Sequence, residues 1–130
     1  MGRKKQKRFR DIRLVMNLLK PDKKYRNGYK DPKHLARVGK LSCSLCFFLK
    51  QKQKTRTEVH HLHGKGLGKK VSDRLVMSLC SECHRTGEFA FHHIGRIAFE
   101  EKFGIDQEGL IELTNKMLEY DNNSSWKANQ

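Results

Sequence analysis

Residues 43–46 read C-S-L-C, residues 60–63 read H-H-L-H, and residues 80–84 read C-S-E-C-H. The pairs Cys43/Cys46 and Cys80/Cys83 each offer two soft thiolates, and together they make the full tetrahedral set of a structural zinc. Residues 47–79 lie between the pairs, a span longer than the about 15–20 residues of a plain ribbon-type site. Further structure must therefore be built inside it. A structural zinc also leaves His60, His61 and His84 without a task. Disulfides are the competing use of four cysteines. Paired Cys-x-x-Cys spacing and an N-terminus unlike a secretory signal favour metal and a reducing cytoplasm.

Composition agrees with a small, metal-stapled domain. The 130 residues are 36% hydrophobic and 32% charged, a thin core for which a structural zinc supplies on the order of 10–16 kcal/mol of binding free energy. No apolar run approaches the roughly 18 residues of a membrane span. The net charge of +14 is unevenly placed. Residues 1–85 carry 24 Lys/Arg against 6 Asp/Glu, whereas residues 86–130 carry 4 against 8. So concentrated a positive charge repels itself unless a polyanion compensates, which makes nucleic acid the expected partner and a membrane a poor one.

Four segments are expected in an α+β domain. Residues 1–40 form a basic arm containing Arg3, Lys4 and Lys5, followed by a short amphipathic helix over 9–19 that Pro21 ends. The stretch 21–40, with Tyr25 and Tyr29, reads as irregular and basic. Residues 41–93 are the zinc-bound core. Phe47, Phe48 and Leu49 extend the first knuckle as a short buried stretch, and strands are expected over 55–62 and 73–79. Between the strands lies G-K-G-L-G-K-K, a loop whose Lys65, Lys69 and Lys70 suit a phosphodiester backbone. It lacks the G-K-[ST] of a nucleotide-binding P-loop. Ser81 is expected to cap a helix to about residue 92, bent near Gly87. In residues 94–120, Ile97, Phe99 and Phe103 mark one buried helical face, Gly104 stops that helix and Asp106 caps another. Leu110, Leu113, Met117 and Leu118 form the stripe of the last helix, and residues 121–130 are a polar tail.

Strand, loop, strand, knuckle and helix, in this order and with these histidines, resemble the HNH (ββα-metal) endonucleases. The run from His60 to His84 is similar to the small prophage endonucleases of the YbcO type, with Gly66, Gly68, Lys70 and Asp73 matching their G-x-G-x-K-x-x-D. The run from His93 through Phe99 to Gly104 resembles the Ref-type, RecA-dependent recombination nucleases. The similarity covers about residues 43–118.

That resemblance implies roles. His61 would be the general base, since a neutral imidazole can take a proton from water near neutral pH. His60, His84 and His93 would hold a catalytic Mg²⁺ or Mn²⁺, with His92 a weaker candidate than His93. Asp73 stands where the family often has Asn, and can orient the His61 imidazole. His63 returns to the face of His61, where phosphate contact or plain exposure is expected. Adjacent strand residues face opposite ways, so one of His60 and His61 can instead pack or face solvent.

The function implied is metal-dependent hydrolysis of DNA, single-stranded or branched DNA included, in phage or prophage recombination or DNA processing. A recombinase partner and a bacterial or phage-infected cytoplasm go with it. The alternative is a non-catalytic, zinc-dependent nucleic-acid-binding module, which explains the charge and cysteines but not the histidines.

Overall fold

The alternation in T-E-V-H-H (57–61) and the β-favouring V-M-S-L-C (76–80) build one antiparallel pair, β1 (Thr57–His61) and β2 (Val76–Cys80). Its register sets Thr57 opposite Cys80, His60 opposite Met77 and His61 opposite Val76. The computed structural model describes residues 23–63 and 71–123. The basic arm with Arg3, Lys4 and Lys5, the 9–19 stretch, the glycine loop with Lys65, Lys69 and Lys70, and residues 124–130 lie outside the described residues.

Among the described residues the strand pair sits with five α-helices, α1 (Pro32–Gly39), α2 (Ser44–Leu49), α3 (Phe91–Ile94), α4 (Arg96–Phe103) and α5 (Gln107–Asn123). The α+β class expected from the sequence is the one observed. Both faces of β2 are buried, and its outer edge is closed by side chains. Ser78 donates its backbone N–H to Thr114 Oγ1 on α5 at 3.2 Å, and its carbonyl accepts from Ser44 Oγ on α2 at 2.7 Å. An edge satisfied in this way offers no template for another strand. Among the described residues, the edge of β1 away from β2 carries no strand.

Two apolar clusters flank the hairpin. Leu62, Leu75, Met77 and Leu79 pack with Phe91, Phe99, Ile105, Leu110 and Ile111 on one side. Val38, Leu41, Val76 and Leu118 pack on the other, joined by Leu35, Val59 and Met117. Phe99 lies between Phe91 and Phe103, with ring centroids 5.2 and 5.0 Å away. Removing its ring would leave a cavity between three helices. Phe99→Ala is expected to cost about 3–5 kcal/mol in urea denaturation; a loss below about 1 kcal/mol would contradict this packing.

Several expectations need correction. The 21–40 stretch is not irregular throughout. Asp31 accepts from the His34 N–H at 3.1 Å, Pro32 opens the first turn, and α1 follows. Phe47, Phe48 and Leu49 are not a buried stretch but the end of α2, and Phe47 is 59% exposed. The strands are shorter than expected, and Asp73 lies in the turn before β2 rather than on it. In place of a helix from Ser81 to 92 there is one wide π-type turn, Glu82–Thr86, and then the separate α3. Ser81 makes no side-chain cap bond. A Cβ at Gly87 would stand 2.5 Å from the Glu82 carbonyl oxygen, so the bend there needs glycine. Ile97 is 66% exposed, leaving Phe99 as the buried anchor of α4.

Other expectations agree. Gly104 ends α4 at φ +73°. Asp106 caps α5 by accepting from the Gly109 N–H at 2.8 Å. No helix among the described residues is long and apolar enough to cross a membrane.

His34, on the inner face of α1, is 3% exposed with neither ring nitrogen hydrogen-bonded among the described residues. Burial first, then the charge of Arg74, pushes its pKa down from 6.5 to about 4. The folded protein thus keeps His34 neutral where the unfolded chain protonates it. Its stabilising contribution is complete above about pH 6.5 and is lost as pH falls toward 4. Between pH 6.5 and 5 the protein should lose about 2 kcal/mol more than its His34→Leu variant, read from paired urea titrations. Parallel losses would contradict a neutral, buried imidazole.

Candidate metal centres

Among the described residues, two groups of side chains bring their ligand atoms within 4.8 Å of one another: Cys43, Cys46, Cys80 and Cys83, and His60, His84 and His92.

The sulfur group is assembled from three elements. Cys43 is the N-cap of α2 and accepts from the Cys46 N–H at 3.4 Å, Cys80 ends β2, and Cys83 lies in the π-type turn. Cys46 Sγ is 3.9 Å from the sulfurs of both Cys80 and Cys83. Tetrahedral Zn–S bonds of about 2.3 Å require sulfurs roughly 3.8 Å apart, so the spacing fits. The Gln51 amide also donates to Cys46 Sγ at 3.4 Å, as a thiolate requires.

Ionisation in this group is mutually opposed. A hydrogen bond from the Cys83 thiol holds Cys43 down at about 5. Burial pushes Cys46 up to about 12. The bond to Cys43, then burial, pushes Cys83 up as well. Four thiolates so close together need a cation between them. Three of the cysteines are buried and the fourth half-buried, and the group can hold a metal ion such as zinc.

The imidazole group draws on β1, the π-type turn and α3. His60 is 3% exposed, with its ring centroid 4.9 Å from that of His84 and 5.2 Å from that of His92; the last two are 4.8 Å apart. His63 stands further out, 5.6 Å from His92 and exposed.

The proton positions on two of these rings follow from their partners. Gln107 donates from Nε2 to the His63 carbonyl at 2.7 Å, and its Oε1 accepts from the His63 N–H at 2.9 Å. Those two backbone contacts fix which end of the amide is oxygen. His60 Nε2, 3.2 Å from the same oxygen, must therefore carry the hydrogen, which leaves the Nδ1 lone pair for a ligand. His84 Nδ1 is 2.8 Å from Glu58 Oε1. That carboxylate is held down at about 2, chiefly by its hydrogen bond from Arg85, so it accepts and His84 Nδ1 donates. His84 then presents Nε2. Burial, followed by the neighbouring histidines, pushes His60 down to about 3 and lowers His92 also. Neutral rings are the ligating form. Carboxylate or amide partners behind ligating imidazoles are the usual means of orienting them.

His61 points the other way, as strand alternation requires. Its Nε2 is 2.9 Å from Asp73 Oδ1, and its side chain is 40% exposed. Asp73 Oδ2 accepts from the Asp31 backbone N–H at 2.8 Å. Burial is the largest influence on Asp73 and raises its pKa. The hydrogen bonds from Asp31 and His61 outweigh it, and the net shift is downward. The pair is thus a carboxylate orienting an accessible imidazole.

The structure thus brings His60 and His84 together, and His61 and Asp73. His93 does not join them. Phe91 is buried and Ile94 half-buried, which sends residues 92 and 93 to opposite flanks of the single turn of α3. His92 faces His60 and His84, whereas His93 Nδ1 donates to the Gly87 carbonyl at 3.1 Å. Glu58 and Gln107 were missed. Glu58 was readable, because a residue two before His60 shares its strand face. Gln107 carries no local signal, lying 47 positions from His60.

Neither the protein-family models, nor the curated proteins, nor the solved structures compared with this chain gave a match.

Proposed function

We propose that the chain is an HNH-type (ββα-metal) endonuclease that hydrolyses DNA phosphodiester bonds with a divalent ion held by His60, His84 and His92. The observation that carries this reading is the convergence of those three imidazoles, two with their tautomers set, at the end of β1 where His61 is oriented by Asp73. His60 and His61 leave β1 on opposite faces, and no strand among the described residues pairs with the outer edge of β1. A phosphodiester lying across this edge can be met from both sides.

His61, hydrogen-bonded to Asp73 through Nε2, has Nδ1 available to take the proton of an attacking water. A divalent ion bound by the three histidines supplies Lewis-acid stabilisation of the charge that develops on the phosphate and the leaving oxygen. The donor set bears on the choice of ion. Three nitrogens and no carboxylate favour a borderline transition ion over Mg²⁺, which prefers oxygen ligands; Mn²⁺ falls between. The sulfur site serves rigidity, as its four ligands leave no open position. The setting in phage or prophage recombination, with a recombinase partner, rests on the sequence resemblance.

Supercoiled-plasmid nicking with Zn²⁺, Ni²⁺, Co²⁺, Mn²⁺ or Mg²⁺ added tests the reading. The parent should nick in a metal-dependent way, and His84→Ala/His92→Ala should lose at least about 100-fold. Tight binding without cleavage under every ion would instead support a non-catalytic zinc-dependent module.

A further inference from the structure

We infer that the outward face of α1 is a binding track for a nucleic-acid backbone, built by Lys33, Arg37 and Lys40 and leading to His61. The inference rests on the nuclease reading only for its destination. Lys33, Arg37 and Lys40 are all exposed, whereas His34 and Val38 turn inward and Val38 packs against Leu41, Val76 and Leu118. Positions 33, 37 and 40 fall within about 60° of one another around a helix of 3.6 residues per turn. They span roughly 10 Å along it.

Among the described residues these charges have no acidic partner. Asp31, which caps the same helix, is committed to Arg74 Nη1 at 3.2 Å and to the His34 N–H. Like charges four residues apart, such as Lys33 and Arg37, destabilise a helix. Lys33 is also in the first turn, where the helix dipole disfavours a cation. A polyanion removes both costs. An anionic membrane is the poorer occupant, because only Ala36 interrupts the basic face and no large apolar residue could insert.

The track has a direction. The residue that caps α1 donates its own N–H to Asp73 Oδ2 at 2.8 Å, and Asp73 holds His61 at 2.9 Å. Lys30, just before the cap, is close enough to act on the Asp73 carboxylate. A strand laid along α1 therefore runs past Lys30 onto the exposed imidazole.

The test is fluorescence anisotropy with labelled single-stranded and duplex oligonucleotides, using the full zinc-loaded chain with no activating ion, over a range of salt. Lys33→Gln/Arg37→Gln/Lys40→Gln is compared with Lys52→Gln/Lys54→Gln/Lys116→Gln, which removes the same charge from exposed positions elsewhere. The first variant should bind at least about tenfold more weakly at 0.1 M salt, with the slope of log K against log salt reduced by about 2–3. The second should keep nearly the parent slope. Equal losses in both, or none in the first, would overturn the track. Lys33→Gln/Lys40→Gln, with a slope change of about 2, repeats the test if the triple variant melts early. The two readings fail separately. A parent that cleaves nothing while the α1 variant loses its slope overturns hydrolysis and supports the track. A parent that cleaves while that variant binds normally does the reverse.

Discussion

Replacing Cys80 with serine is expected to unfold the domain. Cys80 ends β2, opposite Thr57, and its sulfur sits 3.9 Å from that of Cys46 on α2. The four sulfurs therefore clamp α2, the hairpin and the π-type turn at one point. A structural zinc contributes on the order of 10–16 kcal/mol, while whole domains are stable by only about 5–15 kcal/mol. Loss of one ligand removes most of that margin. The expected result is loss of the cooperative thermal transition and of tightly bound zinc, read by circular dichroism and metal analysis. Extended treatment of the parent with a strong chelator should act in the same way. A Cys80→Ser protein that melts within a few degrees of the parent would show that the thiols are ordinary core residues.

His61→Ala is expected to do the opposite, abolishing cleavage while leaving the fold alone. The side chain is 40% exposed and its one hydrogen bond among the described residues is to Asp73, so truncation empties no core space and melting should stay close to that of the parent. A positioned general base contributes about 10²–10⁴-fold, and nicking should fall by that amount under any ion that supports it. Oligonucleotide affinity should be retained, because the basic residues that bear on it are untouched. Cleavage that survives His61→Ala would remove this residue from the chemistry.

The two variants sort the histidines and cysteines by what the sequence could and could not reveal. The Cys-x-x-Cys pairs were legible because each is a local turn, and Gly104 and Asp106 because stops and caps are local too. The start of α1 carried the same kind of signal, Asp31 followed by Pro32. It was obscured by the lysines and arginines around His34, Leu35 and Val38, whose spacing is helical. The choice between His92 and His93 was not legible. It depends on Phe91 anchoring a four-residue helix against Phe99 and His60, a tertiary contact that residue spacing does not encode. Phe47 misled for a related reason: Leu45 and Cys46 take the inner face of α2, and the next residue must face out.

On the proposed reading, sulfur and imidazole hold separate ions, one for folding and one for chemistry. Metal stoichiometry tests it most directly: protein stripped of loosely held ions is titrated with Zn²⁺ against a competing chromogenic chelator, for the parent and for His84→Ala/His92→Ala. Two equivalents are expected in the parent, one of them weaker, and only the tighter one in the variant, with an unchanged fold. A single equivalent in both proteins, or loss of the tight equivalent on removing the two histidines, would contradict it.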